Sequence, residues 1–378
     1  MATPIPANAA ALSAWSAAAA TGGQLVLAAD EGAFARGITS DSRAVTPGCA
    51  FVALRGARHD GHDYVDAAVQ RGAVLVIVEK GRRPTAASVD VVEVDDTLVA
   101  WGELARAHLR WWRREQGPSC VLAVTGSTGK TTTKELCAAL LRTIGPCHAA
   151  SGNLNNRVGV PAVAFGLEPR HHYAVFEVGM SVRGEIAELA RILEPDIAVV
   201  TNVGVAHAEG VGGTRADVAR EKGDLLAGLS EGAAVVCFDD AAAMGQVART
   251  RARRVRTFGI GQGADYRLLE RAVTGLDGAR LLIAREPLGS VVSVHFPLLG
   301  DVAAVDLVAA LAAVDLVAGP LDADAIGAAL HALELPPGRM QVRQLADGTT
   351  VLDDSYNANP QSVRAALRTL AEVAQRRR

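Results

Sequence analysis

The chain has 378 residues, 49% hydrophobic and 21% charged, which supports a sizeable core over two to three domains of roughly 150 residues and excludes broad disorder. Its 38 Lys and Arg against 41 Asp and Glu leave a net charge of −3, which excludes nucleic-acid binding driven by overall positive charge. Five dispersed cysteines (Cys49, Cys120, Cys137, Cys147, Cys237) form no Cys-x-x-Cys pair, which argues against a disulfide framework or zinc site and fits a reducing cytoplasm.

The first region runs to about residue 95. Residues 9–20 are Ala-rich and read as a helix stopped by Gly22-Gly23; no basic residue precedes them, so they do not resemble a secretory leader. A strand is predicted over 49–54 after the Thr46-Pro47-Gly48 turn, a helix over 63–71 ended by Gly72, and strands over 74–78 and 91–94. A helix over 98–114 and the loop Gln116-Gly117-Pro118 lead into the second region. There, apolar strands at 120–125, 173–178, 197–201 and 233–238 alternate with helices at 132–143, 184–193 and 216–229. Such alternation implies a parallel sheet with helices on both faces, so the fold class is α/β. From 257 to 296 the pattern loosens into β-like pieces, followed by helices at 302–318 and 324–333. The apolar stretch 302–318 carries Asp306 and Asp315 and falls short of the ~20 clean residues of a membrane span, so none is expected. After Pro336-Pro337-Gly338 come a strand over 349–352 and a helix over 360–375. One βα unit leaves its apolar faces uncovered, so residues 336–378 are expected to be the start of a third domain, after domains at 1–95 and 96–335.

The strongest motif is VLAVTGSTGKTTTKE, residues 121–135. An apolar strand runs into Gly126-Ser127-Thr128-Gly129-Lys130-Thr131-Thr132, and a helix follows at once. Glycines let the backbone wrap phosphate oxygens, and a helix N-terminus offers free N–H groups and a positive dipole end. Lys130 is placed to neutralise β- and γ-phosphates and Thr131 to ligate Mg²⁺, so ATP is the expected nucleotide. The usual first glycine of such loops is Val124 here. Glu177 and His207 follow two further strands, at the carboxyl ends where ligands gather in open α/β sheets. Both are candidate Mg²⁺ ligands, although either taken alone is more often an ordinary strand-end residue, and Lys222, fifteen residues after His207, reads in isolation as a solvated helical lysine.

Together these residues resemble the Mur ligases, ATP-dependent amide-forming enzymes of peptidoglycan precursor synthesis. The loop GSTGKTT is similar to that family's short phosphate loop, and the His207–Lys222 spacing is similar to its magnesium histidine and carbamylated lysine. The resemblance implies a small N-terminal UDP-binding domain, a central parallel-sheet ATPase domain and a Rossmann-like C-terminal domain. It implies two Mg²⁺ sites using Thr131, Glu177, His207 and a CO₂-derived carbamate on Lys222. It also makes Arg339 an interdomain arginine near the phosphates and Asp354 a ribose ligand.

Three stretches point to the branch that joins D-Ala-D-Ala to UDP-MurNAc-tripeptide through an acyl phosphate: residues 40–65, 152–161 and DDSYNANP at 353–360. The first brings Ser42 and Arg43 to the UDP end, and the second brings Asn153, Asn155 and Asn156 to the substrate. Where the family usually reads GRHNVANAL, this chain has GDVAAVDLV; Val302 and Ala303 replace the usual His and first Asn, and Asp306 keeps a polar group for the nucleotide. Glu177 is followed by Val178-Gly179-Met180-Ser181 in place of Leu-Gly-Ala-Asn. Most of the C-terminal domain is expected to be absent, and a monomer is expected. The competing readings are another Mur or folylpolyglutamate-type ligase, and a non-catalytic UDP-muropeptide or ATP binder.

Overall fold

The computed structural model describes residues 6–8, 10–29, 32, 34–56, 59–85, 88–150, 152–205 and 208–375. The chain divides into two compact units, residues 1–119 with 153–172 and residues 120–152 with 173–378.

The first unit is built on a five-stranded sheet in the order Gln24–Leu27, Asp90–Val94, Leu75–Glu79, Ala50–Val52, Ile38–Thr39, parallel except for its first member. Phe51, Val76, Val78 and Val91 pack with Val65 and Ala68 in its core, which explains why the central strands read as unbroken apolar runs. The expected helix over 9–20 is shorter. Residues Ala11–Ser13 pair as a strand with Phe34–Arg36, and the helix Ala14–Thr21 starts only where Ser13 and Ser16 form a reciprocal capping box; Ala9 lies outside the described residues. Gly22, at φ +66°, ends it as anticipated.

The helix Thr97–Gln116, capped by Asp96, buries Trp101, Leu104, Leu109 and Trp112. The indole N–H groups of Trp101 and Trp112 donate to the carbonyls of Val158 and His171 (2.9 Å each), and a His108 ring nitrogen lies 3.0 Å from the Leu167 carbonyl. Residues 153–172, including the helix Gly159–Ala164, are thereby stitched to this helix. A boundary at residue 95 would assign the helix to the second region; its buried tryptophans place it in the first unit.

The second unit holds a nine-stranded sheet. Its order is Ser290–Phe296, Gly278–Arg285, Tyr266–Gly275, Arg254–Gly259, Ala233–Cys237, Ile197–Val200, Cys120–Thr125, Tyr173–Glu177, Cys147–Ala149. Pairing is parallel from Cys147–Ala149 as far as Tyr266–Gly275; the last two pairings are antiparallel, and the loose 257–296 pattern is this meander. Helices Lys130–Arg142, Asp301–Ala318 and Ala323–His331 share the main core, where every residue from Leu307 to Val314 is buried. Among the described residues no single helix is long and apolar enough to cross a membrane, and the apolar pair Asp301–Ala318 and Ala323–His331 is bent by 119°.

Residues 336–378 lie in this unit too. The expected single strand has an antiparallel partner, Gln341–Gln344 with Thr350–Asp353, before the helix Pro360–Gln375. Arg271 joins that helix to the core by ion pairs at 2.6 Å to both Glu372 and Asp301.

Candidate functional site

The site forms where the strand Cys120–Thr125 ends and the helix Lys130–Arg142 begins. Two glycines between them have no room for a side chain. A Cβ on Gly126 would collide with the Thr201 hydroxyl, and a Cβ on Gly129, at φ +83°, would collide with the Asp306 carboxyl. The loop is held from the neighbouring strand end. Ser127 N–H donates to the Asn202 carbonyl and Thr128 N–H to Asn202 Oδ1, both at 3.0 Å. Asn202 Nδ2 donates back to the Thr128 carbonyl and hydroxyl at 2.9 Å, and Thr201 Oγ1 donates to the same carbonyl at 2.6 Å. Gly204 N–H donates to Ser127 Oγ at 2.7 Å. Thr132 lies in the first turn of the helix and is partly exposed.

Lys130 Nζ and Lys222 Nζ both donate to the Gly126 carbonyl at 2.9 Å. Lys222 is buried on the helix Arg215–Ala227, and its neighbour Glu221 accepts the N–H groups of Gly184 (2.8 Å) and Ile186 (3.2 Å), which locks that helix to Glu185–Leu193. Burial first, and then the Lys130 charge, pulls the Lys222 ammonium well below the usual lysine range; nearby Glu221 and Glu177 oppose this. Lys222 is therefore no solvated helical lysine. Lys130 is also lowered, by burial and then by Arg339, against Glu177.

Thr131 Oγ1 donates to Glu177 Oε2 at 2.7 Å, and both residues are buried. Arg339 Nη2 donates to the same hydroxyl at 3.0 Å, and its guanidinium lies 3.9 Å from the centroid of the Tyr356 ring. Two residues of positive φ, Gly338 (+76°) and Met340 (+49°), make the turn that presents it. Met340 N–H donates to Asp354 Oδ1 at 3.2 Å, and burial raises the Asp354 carboxyl above its ordinary range.

A hydroxyl and a carboxylate in a buried position are hard oxygen donors that fit Mg²⁺. Among the described residues no group of three His, Cys, Asp or Glu side chains gathers as a ligand cluster; His207 lies outside the described residues. Asp306 is buried against Gly129, beneath the loop, and burial pushes its carboxyl well above the usual range despite the Thr133 hydroxyl and the Arg339 charge.

In the first unit, Ser42 and Arg43 sit on the turn Ser42–Ala44, where Asp41 accepts from Arg43 N–H (2.9 Å) and pairs with the exposed guanidinium at 2.7 Å. Asn153, Asn155 and Asn156 occupy one loop. Asn156 Oδ1 accepts from Val158 and Gly159 N–H (3.1 and 2.8 Å), so it shapes the start of the helix Gly159–Ala164.

Sequence reasoning passed over Asn202, Asp240 and Tyr356. Asp240 accepts from Val203 N–H (2.8 Å) and pairs with Arg215 (2.9 Å), anchoring the 201–204 turn that shapes the loop. The signal for Asn202 was its place just past the strand beside the phosphate-loop strand.

Models of three domain families match the chain: the Mur ligase family catalytic domain over 35–109, the Mur ligase middle domain over 124–314 and the Mur ligase glutamate ligase domain over 338–378. The chain belongs to the Mur ligase family. It is 40% identical over 338 residues to the UDP-N-acetylmuramoyl-tripeptide–D-alanyl-D-alanine ligase of Escherichia coli, covering 89% of this chain and 72% of that one. It resembles the crystal structure of MurF from Acinetobacter baumannii with a TM-score of 0.84 at 30% identity, over 98% of this chain and 78% of that one. It also resembles MurF ligase from Thermotoga maritima, solved in complex with ADP, with a TM-score of 0.77 at 29% identity, over 88% and 74%.

Proposed function

We propose that this chain is an ATP-dependent ligase that adds D-alanyl-D-alanine to UDP-MurNAc-tripeptide in the cytoplasm, a setting its five free cysteines suit. The observation that carries the reading is the convergence of Lys130 and buried Lys222 on the Gly126 carbonyl beside the Thr131–Glu177 pair. A phosphate loop alone names a nucleotide. A buried lysine that gives up its proton there suits reaction with CO₂ to a carbamate. The neutral amine attacks the carbon, a C–N bond forms as a C=O π bond opens to a carboxylate, and a second proton leaves. A positive charge is thus exchanged for a negative one, with two protons released overall.

In the first step the tripeptide carboxylate attacks the γ-phosphorus of ATP; the new O–P bond forms as the β,γ-bridging P–O bond breaks and ADP leaves. Lys130 and Arg339 counter the charge repulsion between carboxylate and phosphate. Mg²⁺, held by Thr131 and Glu177 with His207 and the Lys222 carbamate, would neutralise the phosphoryl oxygens. In the second step the dipeptide amine attacks the acyl carbon, phosphate departs and the amine loses a proton. Gly126, Ser127, Thr128, Gly129 and Thr132 cradle the phosphates, Asp354 takes the ribose and Asp306 supports the loop. Ser42 and Arg43 take the UDP end, and Asn153, Asn155 and Asn156 the peptide.

Phosphate release from ATP, measured with UDP-MurNAc-tripeptide and with or without D-Ala-D-Ala, tests this. Release that requires the dipeptide is expected. Tight binding of the UDP-peptide with no turnover would leave a binder rather than a ligase.

A further inference from the structure

Among the described residues, the helix Pro360–Gln375 makes one ion pair with the core of the second unit, from Glu372 to Arg271 on the strand Tyr266–Gly275. The guanidinium is mostly buried. Its Nη2 donates to the two Glu372 oxygens at 2.7 and 2.6 Å and pairs with Asp301 at 2.6 Å. Few other side chains hold the helix down. Thr369 and Val373 are buried, and a Cβ on Gly300 would meet the Thr369 hydroxyl, whereas Val363, Leu367 and Leu370 are exposed. So narrow an apolar contact is a weak attachment, and the placement of the helix depends on a directional charged one.

From Glu372 the helix runs back to Pro360, about 18 Å away at ~1.5 Å per residue. Asn359 caps it there, its Oδ1 accepting from the N–H groups of Gln361 and Ser362 at 2.9 Å each. The residues just before the cap grip the turn that presents Arg339 on both sides. Tyr356 N–H donates to the Gly338 carbonyl at 3.1 Å, and Asp354 accepts from Met340 N–H at 3.2 Å. The Tyr356 ring faces the Arg339 guanidinium, which donates to Thr131. One helix and an unbroken series of hydrogen bonds thus connect Arg271 to Arg339.

We infer that Arg271 is a positioning residue for phosphoryl transfer: through Glu372 it fixes the helix Pro360–Gln375, and through that helix it sets the Arg339 guanidinium on Thr131. This rests on the ligase reading, which places Arg339 at the phosphates. Arg271 has no other part in that reaction, so its loss acts on turnover by way of Arg339. Asp301 keeps the guanidinium paired when the Glu372 charge is removed, so Glu372→Gln frees the helix without leaving a buried charge bare.

The test uses the whole chain with Glu372→Gln, Arg271→Gln and Glu372→Asp, each also combined with Arg339→Ala. Dipeptide-dependent phosphate release and amide hydrogen exchange are measured side by side. Glu372→Gln and Arg271→Gln are expected to lower kcat about tenfold, with the KM for UDP-MurNAc-tripeptide within about twofold. Exchange should quicken about tenfold at residues 340–344 and stay unchanged at 120–142. Glu372→Asp, which keeps the charge, should recover part of the loss. With Arg339→Ala the same changes should cost less than about twofold more, because the group they act through is gone. If Arg271→Gln does not fold, the two Glu372 variants decide by the same comparison. A full tenfold loss in both backgrounds overturns the inference, and so does unchanged exchange at 340–344 or a rise spread evenly over the unit. Wild-type protein without turnover refutes the ligase reading and this inference with it; wild-type turnover with unaffected variants refutes this inference alone.

Discussion

Lys130 and Lys222 come from different helices and place their ammonium nitrogens on one acceptor, the carbonyl oxygen of Gly126, each at 2.9 Å. Two like charges gathered on one carbonyl in a buried setting repel each other, which favours loss of a proton from one of the pair. Burial lowers both lysines, and Lys222, which also feels the Lys130 charge, is lowered furthest. A neutral amine is the form that reacts with CO₂, which links the crowding of the loop to the chemistry proposed for that lysine.

Lys222→Ala should lower turnover by about 10²–10³-fold. Short carboxylic acids should partly restore it by filling the space of the carbamate. Labelling with ¹³C-bicarbonate should give a carbamate carbonyl resonance in the wild type that the variant lacks. An active variant, or a failure of both the rescue and the resonance, counts against the carbamate.

Asp306 makes the pH dependence of stability unusual. An acid whose folded-state value is raised contributes its full stability below its unfolded value near 3.8 and loses it as pH rises toward the folded value. Asp306→Asn removes that loss and keeps a polar group of the same size in the same space. The variant should match the wild type near pH 3.5 and be more stable by about 1 kcal/mol or more at pH 8, read by denaturant unfolding at both values. A constant difference across pH would show that Asp306 is not held protonated.

Gly129→Ala combines a left-handed backbone with a collision against a buried carboxyl. Backbone strain alone costs about 1–2 kcal/mol, and relief of the collision must move the loop or Asp306. ATP affinity should fall at least tenfold, about 1.4 kcal/mol, as calorimetry would detect. Retained affinity would mean that the phosphates do not sit in this loop.

Arg339→Lys keeps a positive charge but loses the planar fork that both donates to Thr131 and lies over Tyr356. Turnover should drop about 100-fold while UDP-peptide affinity is unchanged. Comparable turnover would mean that charge alone suffices at this position.

The phosphate loop was legible because its strand, its glycines and its helix all point to one local structure, and the strand over 120–125 is found at those limits. Helix Lys130–Arg142 starts two residues earlier than expected because Gly129 adopts the left-handed conformation that ends the loop at once. The strand Gln341–Gln344 carried no signal, since three of its four residues are polar or charged and its one apolar residue, Val342, is exposed; pairing with Thr350–Asp353, a few residues further along the chain, creates it. Helix Gly159–Ala164 contains a glycine and a proline, and packing against the long tryptophan-bearing helix overrides that propensity. Burial of Lys222 was equally invisible, because REKGDLL is polar enough to suggest solvent on every side.

The reciprocal bonds between Asn202 and Thr128 carry a kinetic meaning. Ordering a residue of backbone costs about 1–2 kcal/mol, and here that cost is met when the sheet forms, before any nucleotide arrives. The loop is thus ordered by its own hydrogen bonds, and nucleotide association is expected to proceed without an induced-fit delay, which stopped-flow binding would read as a rate linear in nucleotide concentration. Changes at Asn202 fall on that readiness: the loop becomes one that each incoming nucleotide must organise afresh.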